Sequence, residues 1–309
     1  MIIILFQRGG NNNASLIQKW CQHSRIPCNV VDVDMYGEES VTWHTQQGPI
    51  GSSHVTGVYN ATYRDAGMFS TQAISTEYRE FARHELHSLL FGSLEQVPHP
   101  HWMNHPTALK MADLKLHQLS VAQRIGLDVP ETIVSNNCVQ LREFWETHHD
   151  CGVVTKAIAV DRIASCGTRH TVLYTSRVTE SHMTQLPSKP TPPVLFQREI
   201  AKKHELRVVV VDDIVFTCRM GKSLHTTVDW RTDKSAVDAS QPYTLKDEIA
   251  TKCVSVVSAL GLRFGVLDLI EDVAGDTYFL EVNQQGGWGW MESQLHMPIS
   301  QTVVEHLCS

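Results

Sequence analysis

Alternating and periodic apolar positions divide the chain into strand–helix units from its first residues. IIILFQ is an apolar run closed by polar RGGNNN and predicts a buried first strand. ASLIQKWCQHS carries apolar residues at helical spacing, and NVVDVDMY alternates as a second strand. Strand, helix, strand points to a parallel α/β unit. Residues 37–53 are polar and predict a loop or hairpin. TGVYNATYR resumes a strand, and 74–91 reads as a helix. FGSLEQVPHPHWMNHP (91–106), with three prolines, interrupts any long element.

Beyond it, TALKMADLKLHQLSVAQRIGL (107–127) predicts one helix ending near Gly126. VPETIVS, a helical QLREFWETH and CGVVTKAIAV follow as strand, helix and strand. LPSKPTPP (186–193) is a second break. Then come strands in LFQREI, ELRVVVV and IVFTCRM, a helix at 245–260, and a closing pair, FGVLDLIED and DTYFLEVN. The expected fold class is α/β (α+β). An N-terminal α/β domain spans 1–103, a central subdomain 104–190, and a β-rich subdomain 191–309.

Composition narrows the picture by exclusion. A net charge of -7 gives no global basic footprint, so nucleic acid is not an expected partner. No apolar run approaches the roughly 18 residues that span a bilayer, so no membrane partner is expected. The short apolar N-terminus lacks the charged start of a secretion signal, and the expected location is the cytoplasm. The 8 cysteines form no C-x-x-C pair and read as small buried hydrophobes. His84 with His87, or His99 with His101, lack the cysteine partners of a structural zinc site.

The chemistry concentrates in FLEVNQQGGWGW (279–290). A carboxylate and an amide inside a strand are costly unless something binds them. If Ala274 and Gly275 form a two-residue turn, Asp268 lies directly across from Glu281, and Asn283 shares their face. Facing carboxylates repel. A hard divalent cation would reverse the sign, and two carboxylates plus an amide oxygen suit Mg²⁺. The competing readings pair either carboxylate with a nearby arginine, or give the strands a different register in which the two never meet. Lys156, after Val153, Val154 and Thr155, is a lysine in a strand-like run that needs an anion.

The D…E-x-N arrangement on the last two strands, with lysines far upstream, resembles the ATP-grasp superfamily. HWMNHPTALKMADLKLHQLSVAQRIGLDVPETIVSNN, VLYTSRVTE, LFQREIAKKHELRVVVVDDIVF, DWR and FLEVNQQGGWGWMES resemble, in order and over about two thirds of the chain, the graspetide synthetases. These include the microviridin ligases, which cyclise ribosomally made peptides. Family members read E-V-N-P where this chain has Gln284, a loss of one rigid φ but of no ligand. The segment 160–170 would be the phosphate-covering loop, though it has a single glycine. Arg64 aligns loosely with an arginine-rich string of relatives and is given no role.

The resemblance implies ATP and Mg²⁺, two ions, with Asp268, Glu281 and Asn283 as metal ligands. Lys115 and Lys156 would hold the nucleotide; read alone, Lys115 is an ordinary solvated helix lysine. Gln197, Glu199 and Ile200 would read adenine mostly through main chain, with an exposed edge strand as the plainer reading of Gln197. Glu205 would meet the ribose, and Arg207 the acyl group or γ-phosphate. Both project to one strand face, so Arg207 paired with Glu205 is the plainer alternative. Arg231, otherwise a solvated loop arginine, would grip a substrate carboxylate by its planar fork, with Asp229 orienting the loop or the attacking group. Trp288 and Trp290 are expected to pack the floor of the cleft.

The implied reaction is ATP-dependent macrocyclisation through an acyl phosphate on Asp or Glu. The ester or amide forms with a Ser, Thr or Lys of the same precursor, which carries a leader and a core. A homodimer is the implied assembly. Alternatives are a RimK-like or small-amino-acid ligase of the same superfamily, and a non-catalytic peptide-binding relative. The DWR and YTSRVTE strings favour the cyclase.

Overall fold

The computed structural model describes residues 1–6, 13–33, 55–61, 74–97, 100–159, 162–164, 170–221, 228–232 and 235–309. The loop expected at 37–53 and Arg64 lie outside these residues, as does most of the expected phosphate loop.

Strand β1 (Ile2–Phe6), helix α1 (Asn13–His23), β2 (Cys28–Asp32), β3 (Gly57–Ala61), α2 (Arg79–Leu94) and β4 (His101–Met103) build the expected N-terminal unit. Its sheet is parallel, in the order β2-β1-β3-β4. Both faces are covered, which explains why β1 is a continuous apolar run. Ile3, Leu5 and Val58 pack under Leu90, Phe91 and Leu94 of α2. Ile2 and Ile4 face α1 and the C-terminal part of the chain.

The single helix expected at 107–127 is two: α3 (Pro106–Ala112) and α4 (Lys115–Ile125). Leu114 is extended (φ -78°, ψ 97°), and α4 ends where expected, on Gly126 in the left-handed region (φ 91°). Then follow β5 (Thr132–Ser135), α5 (Cys138–Thr147), β6 (Val153–Lys156), β7 (Arg162–Ala164), β8 (His170–Val172), β9 (Ser176–Arg177), α6 (Glu180–Gln185) and β10 (Val194–Arg198). An antiparallel sheet orders them β5-β10-β6-β9, and β7 pairs with β8. β10, assigned from sequence to the segment after residue 190, therefore belongs to the middle sheet. The chain changes sheets between Arg198 and Lys202.

The third sheet is antiparallel, β13-β12-β11-β14-β15. It comprises β11 (Lys202–Val211), β12 (Ile214–Arg219), β13 (Gln241–Pro242), β14 (Phe264–Asp272) and β15 (Thr277–Asn283), with α7 (Ser235–Asp238) before β13 and α8 (Asp247–Ala259) after it. Val208, Val209, Val210 and Val211 have no accessible surface. Burying each such side chain is worth about 1.5–3 kcal/mol, so β11 is a stiff central beam. Leu206, Val208 and Val210 pack under α4 and α8, while Val209 and Val211 face the N-terminal unit.

Helices α9 (Gly289–Leu295) and α10 (Ile299–Cys308) close the chain, and α10 returns to the first sheet. Trp288 is fully buried, and Trp290 packs against the same core between the first and third sheets. Neither tryptophan lines the cleft described below, contrary to expectation. The apolar surface of α1, β1 and α10 takes them first. Among the described residues, no helix is long and apolar enough to cross a membrane.

Gly57 sits where α10 meets β3. A Cβ there would lie 2.6 Å from the Leu307 carbonyl oxygen and 2.8 Å from its Cβ. Gly57→Ala is therefore expected to cost about 1–3 kcal/mol through overpacking. Denaturant unfolding checks it: an unchanged midpoint would mean that α10 is not seated as described.

Candidate active site

The β14–β15 hairpin sets the site's geometry. Its loop is three residues, Val273 to Gly275, rather than the expected two. The Asp272 N–H donates to the Asp276 carbonyl (2.9 Å), and the Gly275 N–H to the Asp272 carbonyl (3.1 Å). The Asp272 carboxylate also accepts from the Ala274 and Asp276 N–H groups, and Gly275 takes φ 91°. A three-residue loop with a left-handed glycine is a standard hairpin closure. Taken alone it would leave Phe279 and Glu281 on one face. A bulge at Leu280 restores the alternation in the other sense. Phe279 and Val282 both enter the core under α4 and α8, and Glu281 pairs with Asp268 on the opposite face.

A second register completes the row. Arg207 of β11 lies opposite Asp268, so Arg207, Asp268 and Glu281 stand side by side across three strands. Arg207 Nη1 donates to both Asp268 oxygens (2.7 and 2.9 Å), and Nη2 donates to the Gly287 carbonyl (3.2 Å). Its guanidinium lies over the Trp230 ring at 5.7 Å. The arginine partner that the sequence left open for Asp268 is thus Arg207. Arg207 does not pair with Glu205, whose carboxylate accepts from Lys202 Nζ.

At the other end of the row, Lys115 Nζ meets Glu281 Oε2 at 2.5 Å. Lys115 is the first residue of α4, where a cation opposes the helix dipole. A carboxylate 166 residues away supplies the reason for it. Lys156, at the end of β6, donates to the Leu280 carbonyl at 3.5 Å from the facing sheet. Burial brings its ammonium down to about 8; Glu281 opposes that and Lys115 adds to it. For Glu281, burial works upward, but Lys115 and Lys156 outweigh it and hold the carboxyl at about 2. Asp268 moves up, from burial and from Glu281, against Arg207. Three cations thus enclose two carboxylates.

The remaining predicted residues line the same cleft, between the middle and third sheets. Gln197 is 3% exposed, and its amide donates to Thr132 Oγ1 (2.8 Å). Its side chain is therefore spent inside the sheet rather than exposed on an edge. The Glu199 carboxylate accepts both arms of Arg177 (2.7 and 2.6 Å), which ties its side chain to β9. Ile200 supplies an apolar wall, and Glu205 shares the cleft side of β11 with Arg207. Burial raises the Glu205 carboxyl, with Lys202 opposing. Asn283 lines the cleft beside Glu281.

Asp229 and Arg231 face Leu173 and Thr175 across the cleft mouth. Arg231 Nε and Nη2 donate to Asp229 Oδ1 and Oδ2 (2.9 and 2.7 Å). Asp229 also accepts from the Thr175 N–H (3.1 Å), and Arg231 sits over the Tyr174 ring at 5.6 Å. Burial works upward on the Asp229 carboxyl, but the Arg231 fork outweighs it, and the group sits below the carboxylate range. That makes it a poor proton acceptor. Trp230, Tyr174 and Thr175 escaped residue-by-residue reading, although DWR and YTSRVTE contain them.

Asp268 and Glu281 side by side, with an amide oxygen two residues on, fit a divalent cation that bridges to phosphate. The surrounding lysines and Arg207 supply positive charge for a polyanion.

A RimK-like ATP-grasp domain matches residues 112–307. No curated protein matches the chain by sequence. Solved structures share the fold along nearly the whole length. The macrocyclase MdnC from Microcystis aeruginosa MRC, bound with precursor peptide MdnA, superposes with a TM-score of 0.84 at 23% identity, covering 99% of both chains. A Chryseobacterium gregarium RiPP-associated ATP-grasp ligase, in complex with ADP and a leader and core peptide, gives 0.84 at 24% identity, covering 99% of this chain and 96% of that one. The ATP-grasp ligase PsnB, complexed with minimal precursor, Mg and ADP, gives 0.74 at 18% identity, covering 100% and 98%. The matched domain contains every charged residue of the row, and the chain belongs to the RimK-like ATP-grasp family.

Proposed function

We propose that this ATP-grasp ligase cyclises a ribosomally made precursor peptide. The observation that carries the reading is the row Arg207–Asp268–Glu281, flanked by Lys115 and Lys156 at the base of a cleft between two sheets. Full-length likeness to ligases crystallised with precursor peptides supports a peptide substrate.

Gln197, Glu199 and Ile200 would present main chain and an apolar wall to adenine, with Glu205 at the ribose. Lys115 and Lys156 would hold the phosphates. Asp268, Glu281 and Asn283 would hold Mg²⁺, two ions in the full site. When bound, the metal neutralises phosphate oxygens and leaves the terminal phosphoryl group open to attack. An Asp or Glu carboxylate of the peptide would take the γ-phosphoryl group, giving an acyl phosphate and ADP. A Ser or Thr hydroxyl, or a Lys amine, would then displace phosphate and close the ring. Both reactants are anions, so positioning and fixed charge supply most of the catalysis. Arg207, tied to Asp268, favours the ionised form of that carboxylate against burial and aims it. Arg231 would receive the peptide carboxylate at the cleft mouth by exchanging one arm from Asp229. Asp229 itself holds the loop against Thr175 rather than taking a proton. The reading carries with it a leader-bearing peptide and a homodimeric enzyme. The proposed domains are 1–103, 104–190 and 191–309, with the second boundary moved to 199–201 because β10 belongs to the middle sheet.

Intact-mass analysis with a short Thr- and Glu-rich precursor tests the reaction. Loss of one water per link is expected; a gain in mass would instead mark a ligase that adds residues. Glu281→Gln is expected to keep the fold and lose about 10²-fold or more in turnover, as one charged ligand disappears. Circular dichroism and product mass check it, and near-normal cyclisation would remove Glu281 from the metal site. Arg231→Ala is expected to raise the KM for peptide about tenfold or more with little change in ADP affinity. Equal losses would place Arg231 at the nucleotide.

Lys156 gives a pH signature. Its ammonium is half titrated at about 8, and a bound polyphosphate would raise that value. Binding therefore takes up a proton above pH 8. Affinity for metal-free ADP should be level near pH 7, begin to fall as pH passes about 8, and then fall toward about tenfold per pH unit. Calorimetry at several pH values reads it. Lys156→Arg should flatten the profile, and a flat wild-type profile would contradict the assignment.

A further inference from the structure

Two glutamines, Gln118 buried and Gln284 half-buried, remain outside the chemistry above. Gln118, on α4 three residues after Lys115, is 3% exposed. β15 is the outer strand of its sheet, so Val282 turns its N–H and C=O away from β14. Gln118 meets both: Nε2 donates to the Val282 carbonyl (2.9 Å), and the Val282 N–H donates to Oε1 (2.9 Å). An amide side chain here does the work of a neighbouring strand. The same Nε2 donates to the Ala112 carbonyl (2.6 Å), one of the carbonyls that the end of α3 leaves without a helical partner.

Gln284 repeats the device one residue beyond the strand. Its Nε2 donates to the Leu109 carbonyl (3.1 Å) and to Asp113 Oδ1 (3.3 Å). Its own carbonyl accepts from Asn104 Nδ2 (3.3 Å), and Asn104 also holds the Phe264 carbonyl and N–H at the start of β14. The two glutamines therefore grip the α3–α4 junction from either side of Asn283, and Val282 between them separates Glu281 from Asn283.

We infer that Gln118 and Gln284 are positioning residues. Gln118 ties the Glu281–Asn283 segment to α4, which carries Lys115, and Gln284 ties the residue after it to the end of α3 just before Lys115, so that the metal ligands and the phosphate lysine are set as one rigid unit. This rests on the metal reading proposed above. A loose outer strand would let Glu281 and Asn283 swing relative to Asp268, which the β11 beam fixes through Arg207. Partners of this kind behind metal ligands commonly set affinity by 10–100-fold.

The test is Mn²⁺ binding in the presence of saturating ADP, followed by electron paramagnetic resonance, for the wild type, Gln118→Leu, Gln284→Ala and Glu281→Gln. ADP affinity without metal and thermal unfolding are measured alongside. Gln284→Ala should unfold near the wild-type temperature and keep its metal-free ADP affinity, yet bind Mn²⁺ about tenfold more weakly. Gln118→Leu, where folded, should do the same or worse. Gln118→Leu leaves two main-chain groups without partners and stands to lose its fold; Gln284→Ala then decides alone. Mn²⁺ affinity within twofold of wild type in a folded Gln284→Ala would overturn the clamp. A wild type that takes up no Mn²⁺ with ADP, or a Glu281→Gln protein that binds it undiminished, would instead remove the metal reading and the clamp with it.

Discussion

Two carboxylates stand next to each other on one buried sheet face, and the rest of the cleft is arranged around that conflict. Like charges so close repel by on the order of 1–4 kcal/mol at the effective dielectric of a protein surface. Arg207 answers from the β11 side, and Lys115 answers from the helix side. Lys156 reaches in from the facing sheet. Removing any one cation would leave a buried negative charge short of compensation, which costs several kcal/mol. The order along the row, cation, carboxylate, carboxylate, cation, balances its charges without a ligand, and in the proposed reading a divalent ion and a polyphosphate would enter it together. A site of this kind is held open by its own side chains.

The scaffold explains why so many charges are tolerated. β11 is anchored by four fully buried valines and sits mid-sheet, so Arg207 has a fixed base. β15 is the outer strand, with Phe279 and Val282 buried in the core but no strand beyond it. Its position is fixed by a bulge, by the parallel bridge from Asp128 to Tyr278, and by side-chain amides from α4. β11 and β15 therefore owe their rigidity to different physics: apolar burial within the sheet for one, and for the other hydrogen bonds that satisfy a sheet edge.

Much of this was legible in the sequence, though not always for the right reason. The pairing of Asp268 with Glu281 follows from a two-residue turn and unbroken alternation, and neither occurs. A three-residue loop shifts the register one way, and the Leu280 bulge shifts it back. Bulges leave no reliable mark in an apolar run such as YFLEV. The break between α3 and α4 was hidden because Asp113 and Leu114 are not helix breakers; side chains up to 175 residues away hold it. β10 was read with the wrong sheet because LPSKPTPP is the loudest punctuation nearby, whereas the chain changes sheets after it. The tryptophans of GGWGW looked like cleft residues from their neighbours, but the first sheet and α10 bury them. Lys156, by contrast, was conspicuous: a lysine ending a buried strand breaks the local rule, and such violations gather where ligands bind.

The central claim is that Asp268 and Glu281 share one divalent ion with a nucleotide. A crystal grown with ADP and Mn²⁺, with data collected at a wavelength where manganese scatters anomalously, tests it most directly. The account predicts an anomalous peak within coordinating distance of both carboxylates, with Lys115 moved from Glu281 onto phosphate. Nucleotide bound with no peak there, and the Lys115–Glu281 and Arg207–Asp268 pairs intact, would contradict it.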